Sequence, residues 1–346
     1  MSAALLVRAL RQPATVEHLD AAQWNGLIAA AKAERLIATL AWRVEGMRLP
    51  EPVQPILRDA RMDAAREARQ ALWEADRAAA ALAPIGVRLV VLKGTAYAAA
   101  GLVAGQGRFI GDLDILVPRS AMSQVEPALM AAGWEWVKED AYDDAYYRQW
   151  MHELPPMIHV ERDRMIDVHH TILPLTARPK PDADALLADA VPAGENVWTL
   201  SPEDRVIHAA AHMLADGDLQ GGLRNLWDIH CLCSEGGRAV PDFYLSLFER
   251  AAFHQLVPAV WRALRLAHDL YGTPVVAYRA PITVDYRLRA SDRIFIACLL
   301  ARDGWGRETR KLLVFAFYLR SHWLRMPPLM LARHLWTKWR KGHRPR

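Results

Sequence analysis

The first part of the chain has apolar residues at the three- and four-residue intervals of an amphipathic helix. This spacing runs through AAQWNGLIAAAKAERLIATLAWRVEGM, which begins at Ala21, and through ARMDAAREARQALWEADRAAAALAPI, which begins at Ala60. Prolines at positions 50, 52 and 55 separate the two stretches, and the segment Pro84–Gly86 ends the second one. The pattern predicts a helical region over residues 1–83.

From Val87 onward the apolar residues come in short β-branched runs. The run VRLVVLKG stops at Gly94 and predicts a buried strand, and GDLDILV, residues 111–117, predicts a second strand. Helices are expected after each strand, over TAYAAAGLVA and over PRSAMSQVEPALMAAGW, the latter with Pro118 at its entry and Gly133 just past its end. These elements predict a small mixed α/β unit.

The remainder of this unit is less regular. WEWVKE, residues 134–139, predicts a third strand, and MIDVHH belongs to another strand that follows a turn at Asp163 and Arg164. The stretch YYRQWMHELPPMIHV between them has no clear period and fits a strand, a loop and a second strand. We expect the whole unit to cover residues 84–200.

Helical spacing returns at Ser201. Ser201 has the character of a helix N-cap, Pro202 suits the first helical position, and Glu203 and Asp204 put negative charge in the first turn. The pattern continues through RVIHAAAHMLA and LRNLWDIHCLC and predicts a second helical region over residues 201–346. The chain as a whole therefore predicts an α+β fold, with helical regions on both sides of a mixed core.

The composition is that of a globular protein, with 52% hydrophobic and 24% charged residues. The opening residues are too short and too interrupted for a signal peptide, and the sequence contains no uncharged apolar window long enough to span a membrane. Its three cysteines, Cys231, Cys233 and Cys298, lack the spacing of a disulfide framework. We therefore expect a cytoplasmic protein.

Two aspartates interrupt the second predicted strand. Asp112 and Asp114 are two residues apart, so on an extended strand both side chains project from the same face. Carboxylates placed side by side repel each other, and a divalent cation removes this conflict. Asp167, in MIDVHH, is the best candidate for a third carboxylate if the two strands pair. The same spacing also occurs in solvated turns and helix caps, so it leaves both interpretations open.

Three motifs, taken in order, resemble a known family. LKGTAY is followed by GRFIGDLDILV and then by IDVHH. This set resembles the DNA-polymerase-β-type nucleotidyltransferase superfamily. More narrowly, it is similar to a bacterial group labelled uncharacterised nucleotidyltransferase, which has LKG, then R-x-x-x-D-x-D-x-L-V, then a strand with an acid and a histidine. The resemblance spans roughly residues 87–171.

The resemblance implies a polymerase-β-like core, in which a short mixed sheet carries a phosphate-binding loop. Lys93 would supply positive charge to a triphosphate, Gly94 would let the backbone approach phosphate, and Thr95 would donate a hydroxyl. Many superfamily members have Gly-Gly or Gly-Ser in this loop, so Lys-Gly-Thr is a departure. Arg108 would hold a phosphate, or else cap a loop or pair with an acid, and Gly111 would admit the nucleotide to the backbone.

The resemblance also implies an activity: transfer of a nucleoside monophosphate group from an NTP such as ATP to a hydroxyl acceptor, with release of pyrophosphate. Asp112 and Asp114 would bind Mg²⁺ or Mn²⁺, and Asp167 would hold the second metal or accept the proton of the attacking hydroxyl. The sequence does not encode the acceptor, which can be a protein or peptide side chain, a small molecule or an RNA end.

Three further residues are candidates for the acceptor side of the site, although each can equally be structural: His152, Glu153 and His169. The alternative to an enzyme is a non-catalytic scaffold that binds a nucleotide or a partner.

The net charge of +4 is unevenly distributed. Residues 302–346 contain 12 Lys and Arg against 2 Asp and Glu, whereas residues 1–301 contain 31 against 37. Pro327 and Pro328 divide the tail into two predicted helical pieces, of which the second, LMLARHLWTKWRK, is basic and amphipathic. Residues 320–346 fit a terminal helix packed on the body. They also fit a segment that contacts an anionic membrane surface, RNA or an acidic partner, and membrane contact would place the protein peripherally at the inner membrane surface.

Overall fold

The computed structural model describes residues 2–138, 141–274, 287–326, 331, 332 and 336. The α-helices of these residues are α1 (Ser2–Arg11), α2 (Ala21–Ala33), α3 (Ile37–Arg43), α4 (Val53–Leu82), α5 (Lys93–Ala99), α6 (Met122–Ala131), α7 (Ala141–Trp150), α8 (Ala183–Ala188), α9 (Pro202–Ala210), α10 (Gly222–Ala239), α11 (Phe243–Phe253), α12 (Val257–Tyr271), α13 (Ala290–Leu299) and α14 (Lys311–Arg325). The strands are β1 (Leu89–Val91), β2 (Leu113–Leu116), β3 (Trp134–Trp136), β4 (Met157–His159), β5 (Met165–His169), β6 (Val191–Pro192) and β7 (Val197–Thr199).

The seven strands form one mixed sheet in the order β3-β4-β5-β2-β1-β7-β6. The pairs β2–β5 and β1–β7 are parallel, and the other four pairs are antiparallel. The two central strands, β1 and β2, are buried at every position, as expected of strands covered on both faces. Helices flank this sheet, which confirms the predicted α+β fold.

The helical signals at Ser201 are confirmed in detail. The Ser201 hydroxyl accepts a hydrogen bond from the Asp204 backbone N–H over 3.2 Å, and Pro202 is the first residue of α9. The prediction for the stretch after the third strand was wrong in part, because α7 occupies its first half where we expected a strand. Arg148 of α7 bonds Asp144 one helical turn away over 2.7 Å and also pairs with Glu126, and these contacts stabilise a helix rather than a strand.

Other elements also differ from the sequence-based expectations. Strand β2 begins at Leu113, so Asp112 lies in the bend before it, because the ladder with β5 starts only at the pair Leu113 and Ile166. Strand β3 is shorter than expected and ends at Trp136. The short edge strands β6 and β7 were not predicted. The second helical piece of the tail falls on residues 329–341, most of which lie outside the described residues.

One continuous cluster of buried apolar side chains joins the three predicted regions. It includes Leu27 of the first region, Ile115 of the sheet and Leu226 of the last region. The predicted boundaries after residues 83 and 200 stay a prediction. Among the described residues, no helix combines the length and the apolar character that a membrane span requires.

Helix α3 fixes the loop that leads into β2. The Thr39 hydroxyl donates a hydrogen bond to the Gly107 carbonyl over 3.1 Å. Gly107 has a φ of +66°, and a Cβ atom there would lie 2.5 Å from the Ala38 carbonyl carbon. A side chain at this position is therefore opposed both by the left-handed backbone and by the helix. Because Asp112 follows in the same loop, this contact also positions the carboxylates at the start of β2.

We expect Gly107→Ala to lower the free energy of unfolding by about 3 kcal/mol, from the left-handed backbone and from the forced separation of loop and helix. Gly101→Ala is the matched control, since Gly101 has a φ of +64° but a Cβ atom there would meet no atom of the described residues within 4 Å. It should lose only about 1 kcal/mol. Urea unfolding of the two variants measures the difference, and equal losses would contradict the proposed contact.

Candidate metal and nucleotide site

Strands β2 and β5 bring three carboxylates together. Their parallel register sets Asp114 directly opposite Asp167, and Asp112 lies just before β2. One oxygen from each of the three side chains lies within 4.8 Å of the other two. The apolar side chains Leu113 and Ile115 are buried, and their packing holds β2 in place. The convergence expected from the sequence is therefore present, whereas the catalytic roles of the three residues stay a prediction.

Asp114 is buried, and two basic groups stabilise its charge. Lys93 Nζ donates to Asp114 Oδ1 over 2.6 Å, and His169 Nε2 donates to the same oxygen over 3.0 Å. Burial alone would raise the pKa of Asp114, but Lys93 and His169 outweigh it and hold that pKa below its usual range. The low pKa favours an ionised Asp114 even without a bound metal ion.

Asp167 has the opposite electrostatic environment. Burial, followed by the negative charges of Asp114 and Glu153, raises the pKa of Asp167 to about 7. Its Oδ1 atom is buried and has no hydrogen-bond partner among the residues that the structure describes. Buried polar atoms are normally paired, so this oxygen is available to a ligand. Three converging oxygen donors, one of them unpartnered, fit a hard divalent cation such as Mg²⁺ or Mn²⁺.

Lys93 occupies a strained position as the first residue of α5, two residues after β1. Its φ of +48° is unusual for a residue with a side chain, and such conformations cluster at functional sites. Burial would lower the pKa of Lys93, but the charges of Asp114, Asp112 and Asp167 raise it above its usual value. The ammonium group of Lys93 therefore stays protonated beside the carboxylates.

A chain of polar contacts extends from the carboxylates through His169 to Glu153. His169 Nδ1 lies 3.3 Å from Glu153 Oε2, while the opposite ring nitrogen donates to Asp114. Burial would lower the pKa of His169, but the bond to Asp114 and the charge of Glu153 raise it, which favours a ring that donates from both nitrogens. The His152 ring lies 5.1 Å from the His169 ring.

His152, Glu153 and His169 are also close enough to hold a metal ion. Because both ring nitrogens of His169 already face carboxylates, we interpret these residues as a network that orients Asp114. The acceptor-side role that we predicted for them remains a prediction.

Arg108 is occupied by another side chain. It forms a short ion pair with Asp228 of α10, and its guanidinium lies 5.6 Å from the Tyr97 ring centroid. Arg224 also bonds Asp228, over 2.8 Å. Of the three roles left open by the sequence, the structure contains the pairing with an acid. The sequence missed Asp228 as this partner, because the two residues are 120 positions apart and no local pattern links them.

Gly94 is required by packing. A Cβ atom at this position would lie 2.6 Å from Arg108 Nε, so the glycine makes room for the arginine side chain. Thr95 is 1% exposed, and its hydroxyl has no hydrogen-bond partner among the described residues. Gly111 is exposed, and within the described part of the chain a Cβ atom there would meet only Arg35, at 3.8 Å. The nucleotide-binding roles of these residues stay predictions.

A small cavity lies behind Lys93 and Arg108. Its volume is about 30 Å³, which is enough for a water molecule and far too small for a nucleotide. It is lined by Lys93, Tyr97, Arg108, His208, Ala209, His212, Asn225 and Asp228. A nucleotide would therefore have to approach from the exposed side, where Gly111 and Asp112 lie.

Cation binding should depend on pH through Asp167. Because Asp167 has to lose its proton to ligate a cation and its pKa is raised to about 7, the proton and the cation compete. We expect the affinity for Mn²⁺ to rise about tenfold per pH unit below pH 7 and to level off above it. Calorimetric titration at several pH values measures this. Asp167→Asn should abolish the dependence, and a pH-independent affinity of the wild-type protein would contradict it.

Glu153 should act on the cation through His169 and Asp114. We expect Glu153→Gln to weaken Mn²⁺ binding about tenfold, because the neutral amide holds the imidazole, and hence Asp114, less firmly. Glu135→Gln is the matched control, since Glu135 is exposed on β3 of the same sheet. An unchanged affinity in Glu153→Gln, with binding lost in Asp114→Asn, would show that the network does not position the ligand.

The comparisons with known proteins point to one family. A family model described as uncharacterised nucleotidyltransferase matches residues 20–272, a range that contains the whole sheet and the helices from α2 to α12. Neither the curated proteins nor the solved structures gave a match. The match confirms the resemblance seen in the sequence, while the bacterial origin stays an expectation. Since the model covers more than half of the 346 residues, the chain belongs to the uncharacterised nucleotidyltransferase family.

Proposed function

We propose that the protein transfers a nucleoside monophosphate group from an NTP, ATP among the candidates, to a hydroxyl acceptor and releases pyrophosphate. The observation that carries this proposal is the convergence of Asp112, Asp114 and Asp167 within 4.8 Å. Family membership supports a transferase, and three hard oxygen donors support a requirement for Mg²⁺ or Mn²⁺. When bound, such cations neutralise the charge that develops on the α-phosphate and on the pyrophosphate.

The three aspartates have different tasks because their environments differ. Asp114, buried and ionised, is a permanent ligand, and exposed Asp112 completes the cation site on the side where a triphosphate can enter. In the reaction, the acceptor oxygen bonds the α-phosphorus while the bond from that phosphorus to the pyrophosphate oxygen breaks. The proton of the acceptor hydroxyl goes to Asp167, a carboxylate that a bound cation would keep ionised and able to act as a base.

Lys93 is placed to exchange one negative partner for another. Its ammonium pairs with Asp114 over 2.6 Å, at the edge of the carboxylate group. A cation bound by Asp114 would weaken this pair, and a triphosphate oxygen is then the natural new partner of the lysine. Arg108, by contrast, would have to leave Asp228 to reach a phosphate, so we assign it to the support of the loop before β2.

The acceptor would lie on the side of β5 that faces Glu153 and His152. Glu153 forms an isolated β-bridge with His169 of β5, and its charge acts on Asp167, the proposed base. Carboxylates that lie far apart would favour the alternative, a scaffold without turnover. One oxygen of each carboxylate lies within 4.8 Å of the others, so the distances do not favour that alternative.

Activity should depend on each aspartate. With α-labelled NTPs, Mg²⁺ or Mn²⁺, and RNA, peptide and small-molecule hydroxyl acceptors, the wild-type protein should release pyrophosphate and label one acceptor class. We expect Asp112→Asn, Asp114→Asn and Asp167→Asn each to reduce the rate on the order of 10²–10³-fold, because each removes a charge that acts on the transition state.

Asp163→Asn is the matched control. Asp163 is exposed, precedes the same strand and has a φ of +53°, which asparagine tolerates. It should keep the wild-type rate. Pyrophosphate release that persists in Asp112→Asn and Asp114→Asn would overturn the catalytic assignment. NTP binding without pyrophosphate release in the wild-type protein, with every acceptor class, would favour the scaffold.

A further inference from the structure

The outer face of α14 carries a solvent-exposed apolar stripe. Leu312, Phe315, Leu319 and Trp323 are 86%, 53%, 41% and 49% exposed. Their spacing of three or four residues places all four on one side of the helix. We call these four residues the α14 stripe. Single exposed apolar residues are ordinary on a protein surface, but a continuous row of them marks an interaction site.

The opposite face of α14 holds the helix on the protein. Phe317 and Ser321 are buried, and the Phe317 ring meets Phe295 of α13 edge to face, with 4.8 Å between the centroids. Arg320 Nη2 donates to the Leu214 carbonyl over 2.7 Å. The orientation of the helix is therefore fixed, and the stripe cannot turn inward without breaking these contacts.

Basic residues lie at the start of the stripe, and more follow α14 in the sequence. Arg307, Arg310 and Lys311 are exposed at the start of α14, and residues 327–346 add six Lys and Arg and no Asp or Glu to the sequence. An aromatic and leucine-rich helix face bordered by positive charge is complementary to anionic lipid headgroups over an acyl layer.

We propose that the α14 stripe docks the protein on an anionic lipid surface. The four apolar side chains would enter the headgroup boundary while the basic residues contact lipid phosphates, so the helix would lie on the membrane and not cross it. The sequence left membrane contact by residues 320–346 open as one of several alternatives. The structure moves the apolar part of this contact toward the beginning of α14.

Vesicle flotation with the full chain tests this proposal. We expect binding to vesicles of phosphatidylcholine mixed with phosphatidylglycerol, little binding to phosphatidylcholine alone, and release as salt rises from about 0.1 M to about 1 M. The double variant Phe315→Gln and Leu319→Gln should bind at least about tenfold more weakly, because two side chains no longer enter the apolar layer. Both positions are exposed, so the thermal unfolding of the variant should match the wild type.

Met62→Gln is the matched control, since Met62 is 64% exposed on a different helix, α4, and it should bind like the wild type. Equal vesicle binding by the double variant and the wild type would overturn the proposal. Absence of binding to any vesicle would overturn it as well. A wild-type dimer in sedimentation velocity that becomes monomeric in the double variant, without vesicle binding, would assign the stripe to a second copy of the chain.

Discussion

Parallel pairing of β2 with β5 places two carboxylates side by side at the centre of the sheet, because the register sets Asp114 opposite Asp167. The protein relieves this repulsion unevenly. Lys93 and His169 keep Asp114 ionised, whereas burial and the neighbouring carboxylates raise the pKa of Asp167 to about 7. A divalent cation is the ligand that would allow all three carboxylates to ionise together. The strand register therefore favours binding of a metal ion at this position.

The surrounding structure holds the carboxylates in this unfavourable proximity. The loop before β2 lies against α3 at Gly107, where no side chain fits, and is joined to α10 by the pair of Arg108 with Asp228. Breaking a buried ion pair of this kind is costly, since one charge would remain buried without a partner. Glu153 and His169 restrain Asp114 from the other side. The strain at Lys93 fits a site whose geometry is imposed by its neighbours.

The sequence was sufficient for the features that depend on local pattern. The apolar residues around Asp112 and Asp114 predicted the second strand, and the acid in MIDVHH predicted a third carboxylate beside them. Features that depend on distant partners were not accessible. The partner of Arg108 lies 120 residues away, Gly94 is needed because of that arginine, and strands β6 and β7 are too short to show a period. The α7 segment lacks a clear apolar period, and the contact of its Arg148 with Glu126 could not be predicted from the local sequence.

Crystals grown with Mn²⁺ and a non-hydrolysable NTP analogue would test the central claim most directly, through the anomalous scattering of manganese. The account predicts a manganese peak about 2.2 Å from oxygens of Asp112, Asp114 and Asp167, close to the Mg–O distances of such sites. It also predicts that Lys93 has left Asp114 for a phosphate oxygen. A manganese peak elsewhere, or a bound analogue with the Lys93–Asp114 pair intact and no metal between the carboxylates, would contradict it.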